Sequence, residues 1–549
     1  MPIVKVRARP IMLRDVVLVL VLTALAALVV TPQHAAKAES CPATNEISDP
    51  EDFQWEYVAE GDGVTRPHYV GMLEYGQATF EIGGETLTTR AYRQAGGEFS
   101  IPGPTIRMTP GETYVLRFNN LLDYEPPSDA HNEFKDPNVT NVHTHGLHIS
   151  GESPGDDVTR MFPGGSGGDY VWEIPEDHMG GTFWYHAHHH GSTYLQVSTG
   201  GFGLIIIDDS NDQIPAPVAL MKERQVLLGY LDTNAAGTGG DALVSGTLPP
   251  GWTVNGEVGG DLCIPPDTWQ HWRVLLADAD ARTKDVSFGE GCEVKLLARD
   301  GVWRTSAPKD LADRTLNLTG ASRADFAIRC STASNLSVGN TVVADILLGG
   351  TTDTRPHPYK EDGESTWSAA RPSYLRDLRG ETTVEVEKIS MGARTINGSK
   401  WDPDSPIFTK TADAVQEWNI KGAGNHPFHL HVYHFQAMAG CGGDFEEGEY
   451  YDTLAANCTV RFDLNAATSS PYQGMTIMHC HILEHEDQGA MTYMEVDGGT
   501  PPPTYPAAAY SEETTWHPRL LQPPLPLPPE GRGIILGVDP TVARSGMGD

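Results

Sequence analysis

Basic residues are scarce: Lys and Arg total 38 against 73 Asp and Glu, a formal charge of −35 over 549 residues. Such a surface repels a phosphate backbone, so nucleic acid is excluded as an expected partner. Long apolar runs are also missing. The longest, Val16 to Val30, has 15 residues, short of the roughly 20 that a membrane-spanning helix needs. The C-terminal end lacks the hydrophobic tail of a lipid-anchor signal. Cysteine is sparse, and its count of 7 is odd, which leaves one thiol without an internal partner in an exported chain. Glycine and proline are plentiful, at 58 and 40, and favour many short strands joined by turns over long helices. A 39% hydrophobic, 20% charged composition excludes wholesale disorder, coiled coil and a multi-span membrane protein. The length exceeds one core and implies about three domains at roughly 100 to 200 residues each.

Lys5, Arg7, Arg9 and Arg14, then the apolar run, then Ala36-Lys37-Ala38 have the layout of a secretory signal peptide, with cleavage expected after Ala38. An uncleaved signal anchor is the alternative. The mature protein is expected to be secreted, extracellular or periplasmic, with no stable membrane insertion. That setting permits disulfides. Cys441 and Cys458 flank one Gly- and acid-rich loop and are expected to pair, while Cys41, Cys263, Cys292 and Cys330 allow several pairings. Cys480 lies between two histidines and is the candidate metal thiolate.

Alternating apolar and polar residues behind a turn recur at Pro110–Phe118, Pro266–Leu275 and Ala414–Ile420. The spacing of about 150 residues predicts three related β-rich domains. The first and third of these strands are each followed by a histidine cluster, and both domains end in a second cluster. The middle domain has neither and is read as a spacer without metal. After about Gly498 the chain turns Pro-rich, at Pro501–Pro503 and Pro523–Pro529, and is expected to form an extended tail.

Four His-x-His pairs occur: His143/His145, His186/His188, His429/His431 and His479/His481. On a strand, residues i and i+2 share a face, so each pair presents two imidazoles to one site, and eight converge where the first and third domains meet. Imidazole suits copper, zinc, iron and nickel alike. The thiol of Cys480, between His479 and His481, points to the opposite face and serves a different metal, with His426 and His485 as candidate co-ligands. A His₂Cys set with a weak or absent axial ligand is the blue-copper arrangement. In the first domain the equivalent of Cys480 is Ala187, so only one such site forms.

These motifs, His143-Thr-His-Gly146, Trp184-Tyr-His-Ala-His188, His426-Pro-Phe-His-Leu-His431 and His479-Cys-His-Ile-Leu-Glu-His485, together with Pro102-Gly-Pro-Thr105, resemble those of the three-domain multicopper oxidases of laccase-like type, over about residues 70 to 498. The resemblance implies an all-β fold of three consecutive cupredoxin-like Greek-key β-barrels. The expected division is a signal peptide at 1–38, an N-terminal segment at 39–69, domains at 70–212, 213–370 and 371–498, and a tail at 499–549. It further implies four coppers: type 1 at His426, Cys480 and His485; type 2 at His143 and His429; and a type 3 pair at His145, His186, His188, His431, His479 and His481. The implied activity is four one-electron oxidations of a donor coupled to reduction of O₂ to water. His148, His189, His190 and His434 fall outside the pattern and are read as supporting or surface residues.

Phenols or aromatic amines are the favoured donors. Metal ions (Fe²⁺, Mn²⁺ or Cu⁺) are the alternative, and a copper-storage protein without turnover is the rival from another class. The acidic loop Asp444–Glu449 is a candidate hard-metal site, though a solvated loop is the expected reading. Reducing O₂ consumes protons, so carboxylates near the cluster matter; Glu486, next to His485, and Asp156, at about the family's interval after the first motif, are the candidates, with Asp157 as a neighbour. The family's axial type 1 position, five residues after His485, is Ala490 here, where many relatives carry Met. Met491 reaches that position only through a one-residue shift or bulge.

Overall fold

A computed structural model describes residues 41, 45–59, 68–208, 216–232, 251–355, 367 and 369–504. The expected signal peptide and most of the Pro-rich tail lie outside these residues. Six sheets, two to a domain, make up the described chain. The three recurrent sequence patterns are all realised as strands, Thr113–Asn120, Gln270–Ala277 and Val415–Lys421. Each pairs parallel with the first long strand of its own domain: Tyr114 opposes Tyr69, Gln270 opposes Lys222 and Val415 opposes Thr383. Each also pairs antiparallel with a later strand, Gly167–Glu173, Arg323–Cys330 or Cys458–Asp463. Three copies of one β-sandwich plan, the cupredoxin-like fold, follow from that shared pairing.

Alternation along these strands buries one face against the second sheet. The first core gathers Leu73, Leu116, Phe118, Trp172 and Ile205, the second Val226, Trp272, Val274 and Phe326, and the third Trp418, Phe428, Val460 and Met494. Glu56–Val58, within the stretch expected to precede the first domain, pairs with the head of His68–Ile82 and so belongs to the first domain's sheet. Leu483, beside the second histidine motif of the third domain, packs with Trp184 and Leu275 of the other two, which seats the three barrels against one another.

Cys441 and Cys458 are bonded as expected, and the open pairings resolve to Cys41–Cys263 and Cys292–Cys330. Cys292 and Cys330 face each other across adjacent strands, and Cys480 is the free cysteine. No helix among the described residues is long and apolar enough to cross a membrane.

Candidate metal centres

Strand pairing assembles the eight imidazoles. His143–His145 lies antiparallel to Gly181–His186 with His143 opposite His186, and Phe428–Leu430 lies against Gly474–Cys480 with His429 opposite His479. Only the first His-x-His pair lies wholly on a strand; His188, His431 and His481 each stand just past a strand end. Backbone bonds hold two of these in place, from His431 N–H to Ile477 O (3.0 Å) and from His481 N–H to Pro427 O (2.7 Å).

All eight rings are buried and interleave across the first and third domains: His145 stacks on His429 at 3.8 Å and His143 on His431 at 3.9 Å. Burial, reinforced by mutual repulsion of any imidazolium charges, pushes all of them down, His188 to about 3 and His429 to about 4. They stand as neutral donors.

Five rings are fixed through one nitrogen. His143 Nδ1 bonds Asp156 (2.8 Å), His145 Nε2 bonds Asp452 (3.2 Å), His186 Nδ1 bonds Ala187 O (2.9 Å), His429 Nδ1 bonds Asp452 O (2.8 Å) and His479 Nδ1 bonds Cys480 O (3.1 Å). Their opposite nitrogens turn inward: His143 Nε2, His145 Nδ1, His186 Nε2 and His429 Nε2 have no hydrogen-bond partner, and neither do His431 Nε2 or either nitrogen of His481. Buried polar atoms without partners carry a desolvation cost. A ring held by an acceptor at one nitrogen, with the other free, is the arrangement of metal-bound histidine. Trios of these nitrogens lie within 4.8 Å of one another, among them His143/His145/His429, His145/His186/His481 and His429/His431/His479.

Behind this cluster, Cys480 turns the other way. His426, Cys480 and His485 form a separate trio, with His426 Nδ1 3.2 Å from His485 Nδ1 and Cys480 Sγ 3.7 Å from the latter. Burial pushes the thiol up, so ionising it calls for a coordinated cation. The donor set fits a thiolate-binding copper. His479 and His481 flank the same cysteine, so the two centres are joined through covalent bonds.

Ala490 is buried in the same core as Cys480, and its carbonyl accepts the Cys480 N–H (2.9 Å). Met491 pairs in register with His479, on the opposite face, and packs with Val158, Trp401 and Tyr493. The alternative of a shifted Met491 is not realised.

Glu486 is fully buried, with Oε1 3.5 Å from His188 Nδ1 and Oε2 3.4 Å from His479 Nδ1. Asp156 lies directly behind a ring of the cluster. One oxygen receives His143 Nδ1 and the other the Thr144 N–H (2.8 Å), a contact that orients the ring. Asp157 caps a turn, accepting from Thr159 N–H and Oγ1. His148 is held between Val432 O and Ser470 O and stacks on Tyr374; His434 donates to Asp300 O; His189 lies 3.4 Å from Asp136. His190 is buried at both ring nitrogens.

Sequence reading missed Asp452 and Asp487. Asp487 accepts the N–H groups of Gly191 (2.7 Å), Thr193 (3.2 Å) and Tyr194 (2.9 Å), tying the third domain to the first. Asp452 sits in the otherwise uncharged stretch Tyr450–Leu454, where a carboxylate needs a partner; that was the available signal. The acidic loop clamps the third domain to the second through Glu446, which bonds Arg304 and Lys309, while Glu449 bonds Arg371 of its own domain.

Residues 88–212 and 375–499 match two family models, both described as multicopper oxidase. The chain belongs to the multicopper oxidase family, copper-dependent oxidoreductases with O₂ as electron acceptor. A multicopper oxidase of Staphylococcus haemolyticus is 25% identical over 416 residues, covering 72% of this chain and 82% of its own. A laccase of Bacillus subtilis is 26% identical over 467 residues, covering 72% and 88%. The solved structure of a Campylobacter jejuni multicopper oxidase, described as a metallo-oxidase, has the same fold, with a TM-score of 0.60 at 20% identity over 84% of this chain and 98% of its own.

Proposed function

We propose that this chain is an exported oxidase that takes electrons singly from phenols or aromatic amines and delivers them to O₂. His426, Cys480 and His485 would hold the type 1 copper, His143 and His429 the type 2 copper, and His145, His186, His188, His431, His479 and His481 the type 3 pair. Bound copper supplies the one-electron chemistry that matches four donor oxidations to the four-electron reduction of O₂ to water. The protein presents the edges of His426 and His485 to the donor, excludes solvent from the eight-imidazole site, and places the Glu486 carboxyl where it can hold a proton beside His188 and His479.

The observation that carries the donor class is the cleft of about 440 Å³ over His426 and His485. It is lined by Ala281, Arg282, Thr283, Gly424, Asn425, Pro427 and Ile482. No carboxylate or thioether lines it, so it lacks the anionic oxygen and soft sulfur donors that favour metal ions, which supports a neutral organic donor. Two carboxylates act on His485 from outside this lining, Asp280 and Glu484; Asp280 is paired with Arg282 at 2.9 Å. In the acidic loop, Glu446 and Glu449 are engaged by Arg304, Lys309 and Arg371, which weakens its case as a metal-donor site.

Oxygen uptake with a panel of phenols, aromatic amines, Fe²⁺, Mn²⁺ and Cu⁺ tests this reading. Phenols and amines are expected to drive uptake. Activity confined to metal ions overturns the donor class, and no uptake with four coppers bound favours storage. Export rests on the signal-like N-terminus and on three disulfides, which persist in oxidising compartments. Mass spectrometry of protein recovered outside the cytoplasm is expected to give Glu39 as the first residue; retention of residues 1–38 points to the signal anchor instead.

A further inference from the structure

The middle domain brings no histidine to either centre, yet one of its side chains reaches the eight-imidazole site. Arg323 opens the strand Arg323–Cys330 and is fully buried. Its guanidinium contacts all three domains: Nε donates to Thr182 O of the first (3.2 Å), Nη1 to Ala321 O of the second (2.9 Å), and Nη1 and Nη2 to the two carboxylate oxygens of Asp452 in the third (3.0 and 2.5 Å). Asp300, also of the middle domain, accepts the Arg323 backbone N–H (2.9 Å). A planar fork against a carboxylate sets direction as well as charge.

Asp452 carries that direction to the cluster. Its Oδ1 accepts from His145 Nε2 (3.2 Å) and its backbone carbonyl from His429 Nδ1 (2.8 Å), so one residue orients two stacked rings from opposite domains. Gly146 gives an independent sign of the same arrangement. It follows His145 at φ +92°, and a Cβ there would lie 2.6 Å from Arg323 Nη2 and 2.7 Å from Asp452 Oδ2. The glycine of the His143-Thr-His-Gly146 motif thus makes room for this ion pair.

We infer that Arg323 is a positioning residue for the eight-imidazole centre, acting through Asp452 on His145 and His429, so that the copper-free domain helps to set the geometry in which copper is held. This rests on the reading of that centre as the type 2 and type 3 copper site. Arg323 keeps Asp452 an anionic acceptor with both oxygens directed, and Asp452 keeps the inward nitrogens His145 Nδ1 and His429 Nε2 aimed at the cluster.

The test compares copper-loaded full-length parent, Arg323→Met and Arg323→Lys by blue absorbance, copper per chain under chelator competition, the type 2 electron paramagnetic resonance signal, and thermal unfolding. Arg323→Met is expected to keep the blue absorbance while copper at the imidazole cluster binds about 10- to 100-fold more weakly, with the type 2 signal shifted or lost. Arg323→Lys, which keeps the charge without the fork, is expected to show a smaller change of the same kind. A folded Arg323→Met that unfolds at a lower temperature but keeps parental copper affinity and type 2 signal overturns the inference, because a purely structural ion pair behaves so. Should the Met variant not accumulate, the Lys variant decides by the same signal: a shift supports positioning, and an unchanged signal overturns it. A parent chain whose imidazole cluster takes up no copper overturns the inference together with the copper reading, a result separable from the others because no variant is needed to obtain it.

Discussion

Ala490→Met lowers the reduction potential of the blue site. Ala490 lies in the core that buries Cys480, its carbonyl accepts the Cys480 N–H, and its own N–H donates to His485 O (2.8 Å), so it stands beside two of the three proposed type 1 ligands. A methyl group has no donor atom. Thioether sulfur is the weak axial donor of many blue-copper sites, and introducing it favours the oxidised ion. Each tenfold change in the relative binding of the two oxidation states shifts a one-electron potential by about 59 mV. Potentiometric titration of the blue absorbance reads the shift directly. Met491→Leu is the control, because Met491 shares the face of His479 and packs with Val158, Trp401 and Tyr493; it is expected to leave the potential unchanged. A shift with Met491→Leu and none with Ala490→Met would refute the assignment. Adding a long side chain at a fully buried alanine also costs about 1–3 kcal/mol of packing, so the melting temperature is expected to fall while the blue colour persists.

Glu486→Gln slows reoxidation of the reduced protein by O₂ by about 10²-fold, the lower end of what a positioned general acid contributes. The residue is chosen by geometry: it is fully buried, between His188 of the first domain and His479 of the third. Glutamine fills the same space and cannot pass on a proton. Stopped-flow recovery of the blue absorbance measures the step, and reduction of the blue site by donor is expected to proceed at the parental rate. Asp156→Asn gives a different signature. Because Asp156 orients His143, its replacement is expected to disturb the type 2 copper signal. Unchanged reoxidation in Glu486→Gln removes the proton-transfer role.

The sequence alone was enough to name the eight imidazoles of the cluster, because a metal site made of His-x-His pairs carries its spacing in the chain, and the motifs around them named His426, Cys480 and His485. It also specified three copies of one strand plan, since alternation behind a turn is a local property of Pro110–Phe118, Pro266–Leu275 and Ala414–Ile420. That one cysteine stays free followed from an odd count, and the candidacy of Cys480 as a metal thiolate from the two flanking histidines. Only the tertiary structure decided which groups stand behind those ligands. Asp452 is 307 residues from His145, and Arg323 is 129 residues from Asp452; no local pattern links them. The same holds for the acidic loop, whose Glu446 meets Arg304 and Lys309 only because two domains close on each other. Asp156 and Glu486 look alike in sequence, each an acid near a histidine motif, and differ because folding turns one to the back of a ring and the other between two rings. Ligand identity is written in short-range chemistry, whereas the orientation of each ligand depends on contacts that long-range packing creates.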